Sequence, residues 1–451
     1  MTGTSRSGAL YTTFWRWHFY AGLFTAPFLL ILSVTGAIYL FNDELNDLIY
    51  PELRFAHSDA PALPPSRWLA AADATWPGST VTRVDMPTAP GRSAMLYVTP
   101  AEGTPLRAFV DPATAEVLGS FVYTRTLVGF SDVFHGSLML GDVGDAIVEI
   151  AACWGLILIA TGLYLWWPRG NQHSWIPKLT LRGRKFWRDL HRFTGLYTAL
   201  LIVFLILSGL PWASVWGGKV LQPASNALGL GYPAHLRHHN DSSHQKTLVD
   251  TLGEAPWALE QAPLPHSGHP ARHHHGTDAD IGVDAAAAAL AAHGMDSAYR
   301  LSLPQDGQDV YSAYTYPAQP EGQHTIHLDR YSGDVLADVR FADYGAIAKA
   351  VEWGVAIHMG NYFGWLNQMI MLFTCLAIIA LVITGLIMWW RRRPHTGLGA
   401  PRAMAPPRKR LVVGITAAML VLFPLAGVSL AVVLVVEAAL RRLRYRAQSP
   451  A

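Results

Sequence analysis

The sequence is poor in charged residues and in cysteine. Charged residues occupy 15% of its 451 positions, whereas they make up about 25% of an ordinary soluble domain. Its two cysteines, Cys153 and Cys375, both lie within long apolar runs. The composition argues against a soluble protein, and the positions of the cysteines exclude a disulfide framework outside those runs.

The sequence also lacks the pattern of a cleavable signal peptide. Its first apolar run is too long for one, and the segment that follows, FNDELNDLIYPEL, has no small-residue cleavage site. We therefore expect the first run to remain in the protein as a membrane helix.

What the sequence has instead is a series of long apolar runs. Crossing a hydrocarbon core of about 30 Å takes about 20 apolar residues. Four runs reach that length, and they are Trp17–Phe41, Val143–Trp167, Gly195–Trp216 and Leu366–Trp390. A fifth run, Leu411–Val436, has basic residues on both sides, so it either spans once or turns back near Pro424 and Gly427. The runs predict a polytopic membrane protein.

The basic residues predict its orientation. Lys and Arg concentrate after the second and the fourth run, and short segments of this kind stay in the cytoplasm. The N-terminus is then cytoplasmic, and the two long segments face the periplasm of a Gram-negative cell. We expect a multi-pass protein of the bacterial inner membrane, surrounded by the lipid bilayer and without a nucleic-acid partner.

The predicted organisation follows from these runs. In chain order it consists of the N-terminus with the first transmembrane helix (1–42), a first periplasmic domain (43–141), the second helix (142–168), a cytoplasmic loop (169–188), the third helix (189–216), a second periplasmic domain (217–364), the fourth helix (365–391), a second cytoplasmic loop (392–410), the C-terminal hydrophobic segment (411–437) and a tail (438–451).

The apolar runs repeat one another. His18 lies four residues before Gly22 and 18 before Gly36, and His191 lies at the same distances from Gly195 and Gly209. His135 lies 26 residues before the pair Thr161-Gly162, and His358 lies 26 before Thr384-Gly385. Two copies in the same orientation predict a pseudo-two-fold axis along the membrane normal.

The long segments between the runs also match. Each has an Ala-rich helix signal followed by three strand-like runs. Each ends in an aspartate six residues before a Val-Leu pair, at Asp111 and at Asp329. The predicted fold class is therefore an α-helical integral membrane protein with two periplasmic α+β domains, built as an internal parallel repeat of helix, α+β domain and helix.

Four histidines are the candidate functional residues. His18 and His191 open inward-to-outward helices and lie at the cytoplasmic edge, whereas His135 and His358 lie at the outer edge. Ionisable groups at membrane depth usually mark function, and neutral imidazole is a good axial ligand for haem iron. Because the chain has no Cys-x-x-Cys-His site, we predict two non-covalent b-type haems, one at His18/His191 and one at His135/His358.

The segment 235–276 holds nine further histidines. Its Gly, Pro, Ser and Asp content is typical of a loop. It has no counterpart in the first repeat and no ordered ligand spacing. Two interpretations stay open, a solvated low-complexity loop and a weak metal-capture segment.

Several motifs together resemble the PepSY-associated transmembrane family. They are the pattern His-x-x-x-Gly-Leu at His18 and His191, the pattern Thr-Gly-Leu-x-x-Trp-Trp-x-Arg at Thr161 and Thr384, the Asp-x-x-(Thr/Ser)-(Ala/Gly)-x-Val-Leu endings, and FPLAGVSL at 423–430. The resemblance covers nearly the whole chain except the His-rich segment and the last residues. It implies that the two outer domains are PepSY-like.

The resemblance also implies a function. The family includes siderophore-iron reductases of the inner membrane with two b-type haems, so it implies a reductase that carries electrons to a periplasmic ferric-siderophore during iron uptake. No Gly-rich phosphate loop is found in the required context, so the donor would be a quinol or a separate protein. The sequence identifies no catalytic residue. The alternatives are a non-enzymatic protein that binds a periplasmic peptide or partner, and a metal permease.

Overall fold

A computed structural model describes residues 4–58, 60–168, 175–178, 180–233, 236, 247–248, 255–268, 279–394, 399 and 409–448. The chain divides into two compact units. The helical unit comprises Met1–Leu40, Asp132–Leu221 and Leu366–Ala451, and the sheet unit comprises Phe41–Ser131 and Gln222–Trp365.

The described α-helices, in chain order, are α1 (Thr4–Tyr39), α2 (Asn42–Ile49), α3 (Pro51–Arg54), α4 (Pro65–Thr75), α5 (Leu127–Ser137), α6 (Gly141–Trp166), α7 (Gly183–Gly209), α8 (Gln222–Ala227), α9 (Gly282–Ala292), α10 (Ala346–His358), α11 (Trp365–Trp390), α12 (Lys409–Leu422) and α13 (Pro424–Gln448). The strands are β1 (Thr80–Asp85), β2 (Ala94–Thr99), β3 (Leu106–Val110), β4 (Val117–Phe121), β5 (Tyr299–Ser302), β6 (Tyr311–Thr315), β7 (His324–Leu328) and β8 (Val335–Arg340).

Four helices of the helical unit are long and apolar enough to cross a membrane, by length and composition, among the residues described. They are α1, α6, α7 and α11, and they correspond to the four long runs of the sequence. The third helix begins earlier than predicted, at Gly183 instead of residue 189. Its first turns are rich in Arg and Lys, which are good helix formers, so the helix extends beyond its apolar part.

The fifth apolar run forms two helices, α12 and α13, with Phe423 between them. Pro424 is the first residue of α13, where its missing N–H costs nothing and its ring ends the preceding helix. The two helices contact each other and α13 contacts α6, where Trp154 Nε1 donates a 2.9 Å hydrogen bond to Ser429 Oγ. The run is therefore a helical pair packed on the bundle, and its orientation in the membrane stays a prediction.

The sheet unit contains one antiparallel sheet of eight strands in the order β4-β3-β2-β1-β5-β6-β7-β8. We expected two separate domains with three strands each, and this was wrong in two respects. Each half has a fourth strand, β4 or β8, which begins at the Val-Leu pair used as a landmark in the sequence. The halves also join, because β1 pairs with β5 through Val84 and Leu301, which leaves neither strand with an unpaired edge.

One face of the sheet forms the apolar core of this unit. Leu96, Leu301 and Ile326 are fully buried on it and pack with Trp68 of α4 and Leu290 of α9. Side chains alternate between the faces of a strand, so the residues between these core positions point to the opposite face. That second face is mixed, with polar side chains such as Arg83 and Tyr97 beside apolar ones such as Phe109.

The aspartates that mark the predicted repeat stabilise loops. The Asp111 carboxylate accepts hydrogen bonds from the backbone N–H groups of His57, Ser58, Ala113 and Thr114. The Asp329 carboxylate accepts them from Gly268, Tyr331 and Ser332. Burial alone raises the pKa of each carboxyl, but the N–H donors outweigh burial and hold the pKa below its ordinary value.

We expect Asp329→Asn to lower the melting temperature of the detergent-solubilised protein. A carboxylate has two acceptor oxygens and an amide has one. The backbone N–H groups that donate to either Oδ1 or Oδ2 therefore lose their acceptor. Each bond to a charged group contributes about 1.5–3 kcal/mol. Because folding lowers the pKa, this contribution is present above about pH 4 and is lost as the pH falls through the folded value.

The matched control is Asp334→Asn, which changes an exposed carboxyl of the same loop. Equal melting temperatures for the two variants at pH 7 would show that the Asp329 carboxylate does not stabilise the loop.

Candidate functional site

A cavity of about 530 Å³ lies within the helical unit, between α1, α6, α7 and α11. One part is apolar and is lined by Leu29, Gly155, Ile202, Ile206 and Ile378. The other part is lined by His18, His191 and four arginines. These arginines lie where α7 begins and α11 finishes, and we call this the arginine end of the unit.

The structure brings His18 and His191 together in this cavity. Their ring centroids are 6.3 Å apart and their ring planes make an angle of 87°. Each histidine lies one turn before a glycine, Gly22 on α1 and Gly195 on α7, and both glycines also line the cavity. Each imidazole therefore has the same position relative to a cavity-lining glycine of its own helix.

A threonine hydroxyl fixes each of these rings. His18 Nδ1 lies 3.0 Å from Thr161 Oγ1, and His191 Nδ1 lies 3.0 Å from Thr384 Oγ1. Each threonine donates its single proton to the carbonyl four residues earlier in its own helix, so its oxygen is left to accept. For His191, Nδ1 also lies 3.1 Å from the Leu381 carbonyl oxygen, which only accepts.

Both histidines therefore carry their proton on Nδ1 when neutral. The remaining nitrogen, Nε2, keeps its lone pair and has no hydrogen-bond partner within the described part of the chain. A neutral imidazole whose Nδ1–H is held by an acceptor, with Nε2 unpaired, is the form that binds a metal, and the acceptor sets the direction of the ring.

The glycine after each threonine makes room for the ring. A Cβ atom at Gly162 would lie 3.3 Å from His18 Cε1, and one at Gly385 would lie 3.6 Å from His191 Cε1. The pair Thr-Gly thus acts as one unit, in which the hydroxyl holds the imidazole and the bare backbone lets it approach.

The same arrangement holds His135. Its Nδ1 lies 3.1 Å from Thr35 Oγ1, and Thr35 donates to the Ile31 carbonyl. A Cβ atom at the following glycine, Gly36, would lie 3.1 Å from His135 Cε1. The fourth histidine, His358, ends α10 in the sheet unit, and its pairing with His135 stays a prediction.

The residues around His18 and His191 fit a haem. Two imidazoles bound in line to one metal through Nε2 at about 2.0–2.1 Å would have ring centres about 6.2–6.4 Å apart, because the nitrogen lies about 1.1 Å from the centre of a ring with bonds near 1.33 Å. The observed separation is 6.3 Å. The described residues contain no group of three or more His, Cys, Asp or Glu side chains that would hold a bare metal ion, but haem needs only two protein ligands.

The arginine end supplies positive charge to the same cavity through Arg184, Arg188, Arg192 and Arg392. The first three are spaced four residues apart, so they share one face of α7. The Nε atom of Arg192 is buried and has no partner among the described residues. Buried donors are normally paired, so Arg192 Nε is a candidate donor to an anionic group, while Nη2 of the same side chain lies 3.6 Å from Asp189 Oδ1.

Sequence reasoning missed the role of the threonines and glycines beside the histidines. Thr161-Gly162 and Thr384-Gly385 served only to align the repeat. Each threonine lies 26 residues after a histidine, His135 or His358, and this constant spacing was the available signal. The histidine that each threonine holds is a different one, His18 or His191. Of the His-rich segment, His266 is described and exposed, and the other eight histidines lie outside the described residues.

These features define a polytopic membrane protein with a histidine-lined cavity in its helical unit and an antiparallel sheet in its second unit. The family model of the PepSY-associated TM region matches residues 15–392, so the chain belongs to that family. The match includes all four landmark histidines. Comparison with curated proteins gives no match.

Proposed function

We propose that the protein is an inner-membrane oxidoreductase that holds two b-type haems and passes electrons from a quinol or a protein donor to a periplasmic ferric-siderophore, releasing iron during iron uptake. The observation that carries this proposal is the pair His18 and His191, 6.3 Å apart in a cavity, with each Nδ1 held by a threonine.

The chain's own residues have distinct tasks at the inner site. His18 and His191 would hold the iron through their Nε2 atoms. Thr161 and Thr384 hold the two rings in place, and the four arginines at the arginine end would hold the propionate carboxylates. Bound haem supplies one-electron transfer between the ferrous and ferric states of its iron.

The outer site is assigned to His135 and His358. Thr35 and Gly36 already hold His135 as the inner histidines are held. At the periplasmic side one electron converts the Fe(III) of the siderophore to Fe(II), which binds the hard oxygen donors of the chelator less tightly and is released. The two proposed haem sites together use all four landmark histidines. Neither a peptide-binding anchor nor a permease requires these histidines.

The first test is haem content. Protein purified from haem-replete cells should show the α-band of reduced b-type haem, with about two haems per chain. A colourless preparation would contradict the proposal.

The second test is turnover of the acceptor. Protein reduced with dithionite and freed of excess reductant should reoxidise when a ferric-siderophore is added. The gallium complex of the same siderophore is the control, because Ga(III) has the same charge and is not reduced. A haem-containing protein that stays reduced with the ferric complex has another acceptor.

A further inference from the structure

A carboxyl side chain lies deep in the helical unit, outside the histidine-lined cavity. Glu149, in the third turn of α6, is only 1% exposed, and α6 is long and apolar enough to cross a membrane. Ionisable residues inside membrane helices are costly and usually mark function. None of the tasks proposed for the four histidines uses this carboxyl group.

Glu149 faces the place where α7 ends. Beyond Gly209 the chain turns at Pro211, and a π-helix begins at Trp216. The first N–H groups of a helix have no partner within it. Glu149 Oε2 accepts hydrogen bonds from the N–H groups of Val215 and Trp216, at 3.2 and 3.1 Å. One oxygen of the carboxyl group therefore pairs with both of these donors.

The other oxygen of Glu149, Oε1, is buried and has no hydrogen-bond partner among the residues described. No basic side chain in the described part of the chain forms an ion pair with this carboxyl, and Asp145, one turn earlier, repels its charge. Burying an unpaired negative charge costs much free energy. Binding a proton at Oε1 removes that charge, while Oε2 continues to accept the two N–H groups.

The neighbours of Glu149 on other helices carry no charge. The stretches that pack beside this part of α6 contain no charged residue, and they are 22–40, 195–216 and 411–436. Lys219, on the π-helix, is exposed. The titratable groups that act on Glu149 are therefore those of its own helix, Asp145 and the Cys153 thiol.

Three acidic residues of α6 lead from its start to the buried carboxyl. Asp142 is exposed, Asp145 is half-buried and Glu149 is buried. Their spacing of three and then four residues keeps them on one face of the helix. α6 starts at the end of the helical unit opposite the arginine end, which is the outer end in the predicted topology. This face is a route for a proton from the outer solvent to Glu149.

α1 and α6 pack side by side in opposite directions. His18 of α1 is bonded to Thr161 of α6. Further along α1, Leu29 lies 3.7 Å from where a Cβ atom of Gly155 would be, and Gly155 comes earlier on α6. Residues later in α1 therefore lie beside residues earlier in α6.

This pairing places Glu149 at the level of His135. Gly36 comes about two turns after Leu29, so it lies beside the turn of α6 that contains Glu149. Thr35 and Gly36 hold His135. Because packed helices are about 8–10 Å apart, the His135 ring and the Glu149 carboxyl are separated by a distance on the order of 15 Å.

We propose that Glu149 binds one proton from the outer solvent when the haem site of His135 gains an electron, and releases it when the electron passes to the acceptor. The inference rests on the proposed function and adds a proton to its electron transfer. Reduction of Fe(III) to Fe(II) removes one positive charge near Glu149, and charges interact over such distances inside a protein. The carboxylate then holds a proton more tightly. The electron comes from the donor and the proton from water, so the haem site and Glu149 together gain no net charge.

The first test is the pH dependence of the haem potentials. Because reduction favours protonation of Glu149, protonation favours reduction by the same factor, and the potential should rise as the pH falls. Redox titrations of the purified protein from about pH 6 to about pH 9 should show a slope of at most about 59 mV for each tenfold change in proton concentration. The haem that responds should be the one that His135→Ala removes.

Substitutions assign the proton to its residue. Glu149→Gln keeps an acceptor oxygen for the N–H groups of Val215 and Trp216 but does not titrate, so its potential should be high and independent of pH. Asp142→Asn, at the exposed start of the same helix, is the control and should keep the wild-type slope. A Glu149→Gln variant with the wild-type slope, or a wild-type protein without any slope, would overturn the proposal.

Infrared spectroscopy separates this inference from the proposed function, because it needs no haem. The C=O band of a protonated carboxyl should grow as the pH is lowered, disappear in Glu149→Gln and remain in Asp142→Asn. If the protein contains no haem but shows this band, the reductase proposal fails and the proton site stands. If the protein reduces a ferric-siderophore through its haems while no band of Glu149 titrates, the proposed function stands and this inference is wrong.

Discussion

His191→Ala is expected to reduce the haem content of the purified protein from about two per chain to about one. The cavity contains two imidazoles whose ring centroids are 6.3 Å apart, and in the proposal both would hold the same iron. Removing one ring leaves the iron with a single protein ligand in a largely apolar cavity. His18→Ala should have the same effect, and the double variant should lose no more haem than either single variant. The measurement is the pyridine haemochrome assay.

The control is His293→Ala, which removes an exposed histidine of the sheet unit and should leave the haem content unchanged. Undiminished haem content in His191→Ala would exclude His191 as a ligand. Loss of both haems from a variant that melts at the normal temperature would contradict the assignment of two independent sites. His135→Ala and His358→Ala test the outer pair in the same way, and each should spare the haem held by His18 and His191.

The membrane helices were predictable because length and hydropathy determine them locally. An apolar run of about 20 residues has few alternatives to a membrane helix, and four of the predicted runs are long apolar helices. The boundaries were less predictable. At the start of α7, helix propensity extends the helix through Arg184 and Arg188, which hydropathy assigned to a loop. The predicted orientation and the repeat stay predictions.

The sheet was predictable only in its parts. Alternation of apolar residues indicated three strands in each half, but β4 and β8 are edge strands that contain few buried residues, so no strong apolar pattern marks them. The pairing of β1 with β5 joins strands about 220 positions apart, as Val84 and Leu301 show. No local pattern encodes such a contact, because it joins the edges of two strands that are far apart in the sequence.

The candidate site was half predictable. The spacing of His18 and His191 to glycines in equivalent helices singled them out, and the structure places both in one cavity. Their partners were not predictable in the same way. Thr161 is 143 positions from His18 and Thr384 is 193 from His191, so these contacts follow from how the four helices pack and not from any motif around the histidines.

Thr161→Val is expected to weaken haem binding at the inner site by about 10–100-fold, the range found when the outer partner of a metal-bound histidine is removed. Valine has nearly the shape of threonine but no hydroxyl, so the His18 ring loses the Thr161 acceptor and keeps only the backbone hydrogen bond with Leu158. Without that acceptor the imidazole donates less electron density to the iron, which stabilises the ferric state less. We therefore also expect a higher reduction potential for the inner haem, measured by redox titration.

Two further variants separate this role from packing. Thr161→Ser keeps the hydroxyl and should restore both affinity and potential. Thr25→Val removes another buried hydroxyl of the bundle, one that donates to the carbonyl of Ala21 in its own helix and does not line the cavity. It should leave the potential unchanged, although both Thr→Val variants replace a buried hydroxyl with a methyl group. If Thr161→Val and Thr25→Val gave the same small effect, the hydroxyl of Thr161 would be a packing group, and the tautomer of His18 would be set by something else. If only Thr161→Val shifts the potential, the hydrogen bond between the two membrane helices controls the chemistry of the ligand and not merely its position.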